Sequence, residues 1–410
     1  MVSKTFIPKI RFKGFSEDWK DKRLDSISEQ ISYGLTVRPK YIEVGIPLIS
    51  ARELKNGNIN YNIAPKISVK SYDDLSEKAK AKKGDIFLTK TGTVGLSSYV
   101  SEDFPIAVTQ NIAVIRVTNE RYNHQFILQT FKTQIFYKTA MSKVNQSTIM
   151  DLQLQDIRAL SIFFPEKKEQ IKISNYLQQL DKLIEQKEKK HQKLKQFKKA
   201  MLYKMFPKDG ANTPEIRFDG FSGEWEEKRL DKIVEIVGGG TPSTMISDYW
   251  NGTIDWYSPT EIGKEIFVSS SVKKITQLGL EKSSARILPA KRTVLFTSRA
   301  GIGDMAILNK DGATNQGFQS LILKDEYDTY FVYSMGHLIK EYALRNASGS
   351  TFLEISGKQL SNMNIRIPSF NEQTKIGNYF QKLDKQIELQ SKEIQKLKNI
   401  KKASLDKMFV

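Results

Sequence analysis

The feature that most constrains this chain is a duplication, because two copies of one sequence must find the same fold. Residues 8–27 read PKIRFKGFSEDWKDKRLDSI and residues 214–233 read PEIRFDGFSGEWEEKRLDKI, alike at 13 of 20 positions at a constant offset of 206. Residues 165–206 and 368–409 agree at 25 of 42 positions without a gap, at an offset of 203. Both of these runs open with EQ-x-K-I-x-NY, carry L-D-K-x-I-E at the centre and end in K-K-A-x-L-x-K-M-F. The middles, about 28–164 and 234–367, have drifted, with an echo where TKTGTVG (89–95) aligns with TSRAGIG (297–303). The frames are alike and the centres differ.

Within each copy, short apolar runs bounded by turn residues predict strands. They are IPLIS (46–50), GDIFLTK (84–90) and NIAVIRV (111–117) in the first copy, and TIDWY (253–257), RTVLFT (292–297) and FQSLILK (318–324) in the second. Residues 124–141 and 330–344 have helical amphipathicity. A Ser-Thr pair, a short strand ending at Pro165 or Pro368, and a long helix follow in both copies. Residues 207–213 (PKDGANT) carry Pro, Gly and Asn without apolar pattern and predict a linker. The expected bounds are a first globular domain at 1–166, its helix at 167–206, the linker at 207–213, a second domain at 214–369 and its helix at 370–410.

The long helices carry a 3-and-4 stripe. In the first it is Ile173, Leu177, Leu180, Ile184, His191, Leu194, Met201 and Met205. In the second it is Ile376, Phe380, Leu383, Ile387, Ile394, Leu397 and Met408, with Leu405 beside it. Such a stripe is a coiled-coil seam and must be covered. The natural cover is the other copy's stripe. Forty residues at about 1.5 Å each make a rod of about 60 Å. Antiparallel packing would create a local pseudo-twofold axis and place the two domains at opposite ends. His191, Lys187 and Gln390 read as register-setting seam positions rather than ligands.

Charge points to a polyanion. The chain has 64 Lys and Arg against 46 Asp and Glu, a formal net charge of +18. Residues 1–206 hold 36 basic against 21 acidic side chains and the remainder 28 against 25, so the halves are unequal. Much of the excess lies at 187–204, where a solvated helix face and a phosphate contact are equally good readings. There is no cysteine, hence no disulfide framework or thiolate metal site, and the three histidines are far apart. No apolar run reaches membrane length, and the opening MVSKTFIPKIRF has no apolar signal core. A cytoplasmic, metal-free protein is expected.

Catalytic motifs are missing. There is no G-x-x-x-x-G-K-[ST] loop, no Pro-Pro pair and so no [DN]-P-P-[YF] of amino-methyltransferases, and no G-x-S-x-G or H-E-x-x-H. Short E-x-K strings lie only in charged amphipathic stretches. The run VGGGTPST (237–244) lacks the lysine of a phosphate loop and reads as a flexible surface loop. What remains suits base readout, which needs Arg, Lys, Asn, Gln, Ser and Thr on loops. Candidates after the first copy's strands are Arg52, Lys90, Thr91, Thr93, Gln110, Asn111, Ser147 and Thr148. Those in the second are Ser258, Thr260, Ser298, Arg299, Asn315, Gln316, Ser350 and Thr351. Tyr41, Tyr61, Trp256 and Tyr257 read as packing residues.

The openings I-R-F-x-G-F-x-x-x-W and the P-x-x-x-E-Q-x-K-I runs with their L-D-K-x-I-E helices give the chain, over about 8–409, a resemblance to the specificity subunit of type I restriction-modification enzymes. The resemblance implies an α+β chain with two tandem mixed α/β target-recognition domains, each followed by a long helix. It implies that each domain reads one half of a bipartite, gapped double-stranded DNA target and that the helices set the gap. It further implies no catalysis in this chain. Two modification subunits would bind it and methylate adenine, and restriction (motor-nuclease) subunits would join them. S-adenosylmethionine, ATP and magnesium would belong to those partners. The rival is a coiled-coil scaffold bridging two proteins without touching DNA. It predicts partner binding without sequence-dependent protection of DNA, and the drifted centres weigh against it. A stand-alone nuclease or methyltransferase would show activity in the isolated chain.

Overall fold

The structure, a computed structural model, describes residues 5–55, 57–145, 149–349 and 353–409. The chain divides into two compact units, one of residues 1–188 with 392–410 and the other of residues 189–391. Both long helices, Lys167–Lys204 and Phe370–Met408, contribute to both units.

In the first unit the main sheet has the strand order Ser97–Tyr99, Ile86–Thr89, Ile112–Arg116, Gln30–Tyr33, all antiparallel. Side chains alternate across a strand, and here both faces are covered. Ile86, Leu88, Ala113 and Ile115 enter one core with Trp19, Phe126 and Leu177. Phe87, Ile112 and Val114 enter another with Ile49 and Val108. That double burial is why these strands read as continuous apolar runs. A smaller sheet follows, in which Ile106–Val108 runs parallel to Ile46–Ile49.

The second unit repeats this plan. Its main sheet orders Val234–Gly238, Gln319–Leu323, Thr293–Phe296, Met305–Leu308 and Phe267–Val268. Val294, Phe296, Leu321 and Leu323 face the core that holds Trp225 and Phe331. Leu295, Ala306 and Leu308 face a second core with Tyr257. Gly312–Thr314 runs parallel to Trp250–Tyr257. All six predicted strands are present. The two predicted amphipathic helices are each broken in two. His124–Phe131 stops because the Thr133 side chain accepts a hydrogen bond from Phe136 N and starts a new helix, Gln134–Met141. The other breaks between Thr329–Ser334 and Gly336–Asn346, where Gly336 passes so close to Met305 Sδ that a Cβ would sit 2.7 Å from it.

The duplicated frame is the joint between each domain and its helix. Arg11 grips Glu169 through two bonds of 2.7 and 2.8 Å, and Arg217 grips Glu372 at the same distances. Gln170 Nε2 donates to Pro165 O at 2.9 Å, as Gln373 Nε2 does to Pro368 O at 3.0 Å. Lys172 lies over the rings of Phe12 and Phe15, and Lys375 over Phe218 and Phe221. The I-R-F-x-G-F and E-Q-x-K-I motifs are therefore two halves of one clasp.

The two helices run antiparallel in each unit, since partners fall on one as they rise on the other. In the first unit Tyr176 meets Ser404, Asp181 meets Lys401 and Glu188 meets Lys398. In the second, Lys198 bonds Asp384 at 2.5 and 2.6 Å while Phe206 stacks on Phe380 at 6.2 Å. The seam is buried at Ile173, Leu177, Ile184, His191, Met205, Ile376, Phe380, Leu383, Ile394 and Met408. Burial, reinforced by the charge of Lys195, holds the His191 imidazole below its ordinary pKa.

Asp384 is nine-tenths buried and also accepts from Tyr330 Oη at 2.9 Å. Asp384→Asn should cost the second unit on the order of 2–3 kcal/mol, somewhat less than a fully buried pair because Lys198 keeps some solvent. The equivalent Asp181→Asn, in a pair about a third exposed on its acidic side, should cost the first unit under about 1 kcal/mol. Denaturant melts of both variants check this, and equal losses would contradict it.

Candidate nucleic-acid interface

At one edge of each double-sheet core several loops converge, held by backbone bonds that match between units. In the first, Thr109 N donates to Ile49 O at 2.9 Å, Lys90 N to Asn111 O at 2.8 Å and Leu35 N to Val108 O at 2.8 Å. In the second, Asn315 N donates to Tyr257 O at 3.0 Å, Ser298 N to Gly317 O at 2.8 Å and Gly240 N to Thr314 O at 2.9 Å. These pairs equate Gln110 with Gln316. Both glutamines are exposed. The loops carrying Arg52 and Thr260 are also equivalent. Ser50 donates its hydroxyl to Glu53 at 2.6 Å, and Ser258 does so to Glu261 at 2.8 Å. This S-x-x-E element recurs inside the drifted centres, in two loops that occupy comparable places after strands in the sequence, and the Ser–Glu bond itself is what the structure adds.

The tips differ in availability. Arg52, Thr93, Gln110, Thr260 and Gln316 are exposed, and Asn111, Ser258, Arg299 and Asn315 are partly so. Lys90 is bound to Asp151 at 2.7 Å, and Thr91 Oγ1 donates to the same carboxylate at 2.5 Å. Burial works against the Asp151 anion. Bonds from Lys90, Thr91 and Gln153 outweigh it and leave the pKa below the ordinary carboxylate value. Lys90 is therefore a brace for its loop before it is a free cation. Asp151 lies 61 residues from Lys90, and no local pattern joins them. Ser298 is fully buried, with no hydrogen-bond partner for its hydroxyl among the described residues, so it cannot reach a groove from this position. Arg299 stands 4.0 Å from Glu354. Ser147, Thr148, Ser350 and Thr351 lie outside the described residues.

The glycine-rich run 237–244 is not a loose loop. A Cβ on Gly239 would meet Asn315 O at 2.0 Å, and Trp256 Nε1 donates to Gly240 O at 2.8 Å. Gly34 holds the same place in the first unit, where a Cβ would meet Val108 O at 1.7 Å. Each glycine lets the chain press against the strand end beside the exposed glutamine, and Thr241 Oγ1 donates to Gln316 Oε1. Trp256 and Tyr257 are buried, and Tyr61 is half-buried against Phe104, its hydroxyl pushed up to about 12 by burial. Tyr41, at 40% exposed under the Arg38 guanidinium, departs from the packing role expected of it.

Among the described residues, no group of three His, Cys, Asp or Glu is placed to hold a metal ion, and no helix is long and apolar enough to cross a membrane. What the loops offer is a surface of amides, hydroxyls and guanidinium groups on a rigid base. A family model described as "Type I restriction modification DNA specificity domain" matches the chain twice, at residues 16–196 and 222–399. The chain belongs to this family. Both matched segments contain a complete loop cluster of the kind described. The type I restriction enzyme MjaIX specificity subunit of Methanocaldococcus jannaschii is 37% identical over 43% of this chain. The matched region spans only 42% of that relative's length. The HindI specificity subunit of Haemophilus influenzae is 21% identical over 89% of this chain and 94% of its own. Among solved structures, the S subunit of a type I restriction-modification system from M. genitalium superposes with a TM-score of 0.61 at 18% identity, covering 99% of both chains. That likeness establishes the specificity-subunit fold.

Proposed function

We propose that this chain is the DNA sequence-specificity subunit of a type I restriction-modification complex. Each unit reads one half of a bipartite, gapped double-stranded target. The long helices set the gap and seat two modification subunits, with restriction subunits joining for cleavage. Methyl transfer and cleavage, with their S-adenosylmethionine, ATP and magnesium, belong to those partners, and the complex works in the cytoplasm. One observation carries the reading. The loop framework is the same in both units, while its tips differ, Arg52 standing for Thr260 and Thr91 for Arg299. A common frame with different tips is what two related readers of different half-sites need, because base edges are told apart by donor and acceptor placement. Gln110 and Gln316 suit bidentate contact with adenine.

The test is binding of the assembled complex to a duplex carrying the gapped motif defined by mapping methylated adenines. With six to ten phosphates contacted, affinity should fall by about 10³–10⁵ between 50 and 200 mM salt. Gln110→Ala should lower discrimination by about 1–3 kcal/mol at one half-site and none at the other. Binding that ignores both salt and sequence would end this reading.

A further inference from the structure

The most exposed large apolar side chain among the described residues is Met245, at 91%. A lone exposed apolar residue is ordinary on a protein surface, but this one stands on a turn built to hold it out. The segment leaves the loop edge of the second unit at Gly240, whose carbonyl accepts from Trp256 Nε1 at 2.8 Å. Thr241 bonds the exposed Gln316, and Pro242 is buried. Ser243 O then accepts from Ile246 N at 3.4 Å, which closes the turn around Thr244 and Met245, and from Trp250 Nε1 at 3.1 Å. Trp250 packs edge-on against Trp256, with ring centroids 5.1 Å apart. Two packed indoles therefore fasten the turn through their N–H groups. A Cβ on Gly240 would lie 2.4 Å from Ala285 N and from Ser284 Oγ, so residues 282–286 run directly alongside. They bring the exposed side chains of Lys282, Ser284 and Arg286 to the same place.

We propose that Met245 is a wedge that enters between two stacked base pairs of the half-site read by the second unit, opening that step and bending the duplex. The proposal rests on the function proposed above and adds to it a reading of DNA deformability, which carries sequence information without contact to base edges. Methionine is long, unbranched and apolar, one of the side chains that part base steps. The faces of the bases are the apolar surface that DNA can offer it. A turn already fastened loses little freedom on insertion. Lys282, Ser284 and Arg286 are the donors that phosphates need, and such contacts offset the cost of unstacking. That basic, hydroxyl-bearing flank favours DNA over an apolar pocket on a protein partner. In the first unit the matching segment leaves at Leu35, whose carbonyl accepts from Gln110 N at 2.9 Å, and exposes Val37 at 76%. Valine is shorter and branched at Cβ, so the opened step is expected in one half-site only.

The test uses the full-length chain assembled with its modification subunits, on duplexes carrying the gapped motif. The second unit's half-site is the one whose discrimination Gln316→Ala lowers. A fluorescent adenine analogue that brightens when unstacked is placed in turn along both half-sites. Wild type should brighten one step of the second unit's half-site, apart from any signal at the methylated adenine. Met245→Ala should abolish that signal alone and weaken binding to the intact duplex about tenfold to a hundredfold. On a duplex with a mismatch at the same step, where unstacking is already cheap, the loss should stay under about threefold. Met245→Leu should restore both signal and affinity, and Val37→Ala should leave the fluorescence profile unchanged. An unchanged profile and affinity in Met245→Ala would overturn the wedge. So would equal losses on intact and mismatched duplexes, which would make Met245 an ordinary contact. Loss of modification subunits from the Met245→Ala complex, measured by native mass spectrometry, would overturn it too and assign the turn to a protein partner. A wild-type complex that does not distinguish the gapped motif from other DNA would instead overturn the functional reading, and the wedge with it.

Discussion

Phe409→Ala is expected to destabilise the first unit by about 3–5 kcal/mol, the usual cost of emptying an aromatic site in a core, and to leave the second nearly untouched. Phe409 is 3% exposed and lies against Trp19 and Phe126, with ring centroids at 6.1 and 5.2 Å. Phe206 does the same in the second unit, against Trp225, Phe331 and Phe380. The end of each helix thus completes the core of the unit built on the other copy. Phe206→Ala should therefore weaken the second unit, although residue 206 follows directly from the first copy's sequence. With domain stabilities commonly about 5–15 kcal/mol, either loss is a large share of the total. Hydrogen exchange read peptide by peptide would separate the two units. Protection lost in residues 86–116 of the Phe206→Ala variant would refute the exchange of helix ends.

Lengthening both helices should change the gap between half-sites and neither half-site. The insertion is seven residues after Glu188 and seven after Ser391, where each helix passes from one unit to the other. Seven residues preserve the seam's heptad phase and add about 10 Å, the length of about three base pairs. The map of methylated adenines in cells carrying the variant should show two unchanged half-sites with the gap longer by no more than about three base pairs. Altered half-site sequences would mean that the helices contribute to base reading. An unchanged gap would mean that they are not the spacer.

Much of this was legible before any coordinates. The duplication fixed that two similar units exist. The apolar runs at 84–90, 111–117, 292–297 and 318–324 announced strands. The seam residues announced two helices that had to be covered. These are local patterns, repeated every two or three to four residues, and the burial that produces them acts on neighbours in the chain. The helix over 124–141 was misread as one because a cap such as Thr133 competes with the pattern through a single hydrogen bond.

The partners across the fold were not legible. Nothing near Lys90 points to Asp151, nothing near Ser298 says that it is fully buried, and the glycines at 239 and 240 read as freedom where the structure uses them for close approach. The sequence by itself determined that there are two copies, which elements each contains, and that the frame is shared while the tips differ. Only the tertiary structure decided that each helix ends in the other copy's core, and which loop side chains are exposed and which are braced. The reason is physical. Periodicity records whether a residue is buried, but not against what, and both the exchanged ends and the braced loop tips are questions of partner.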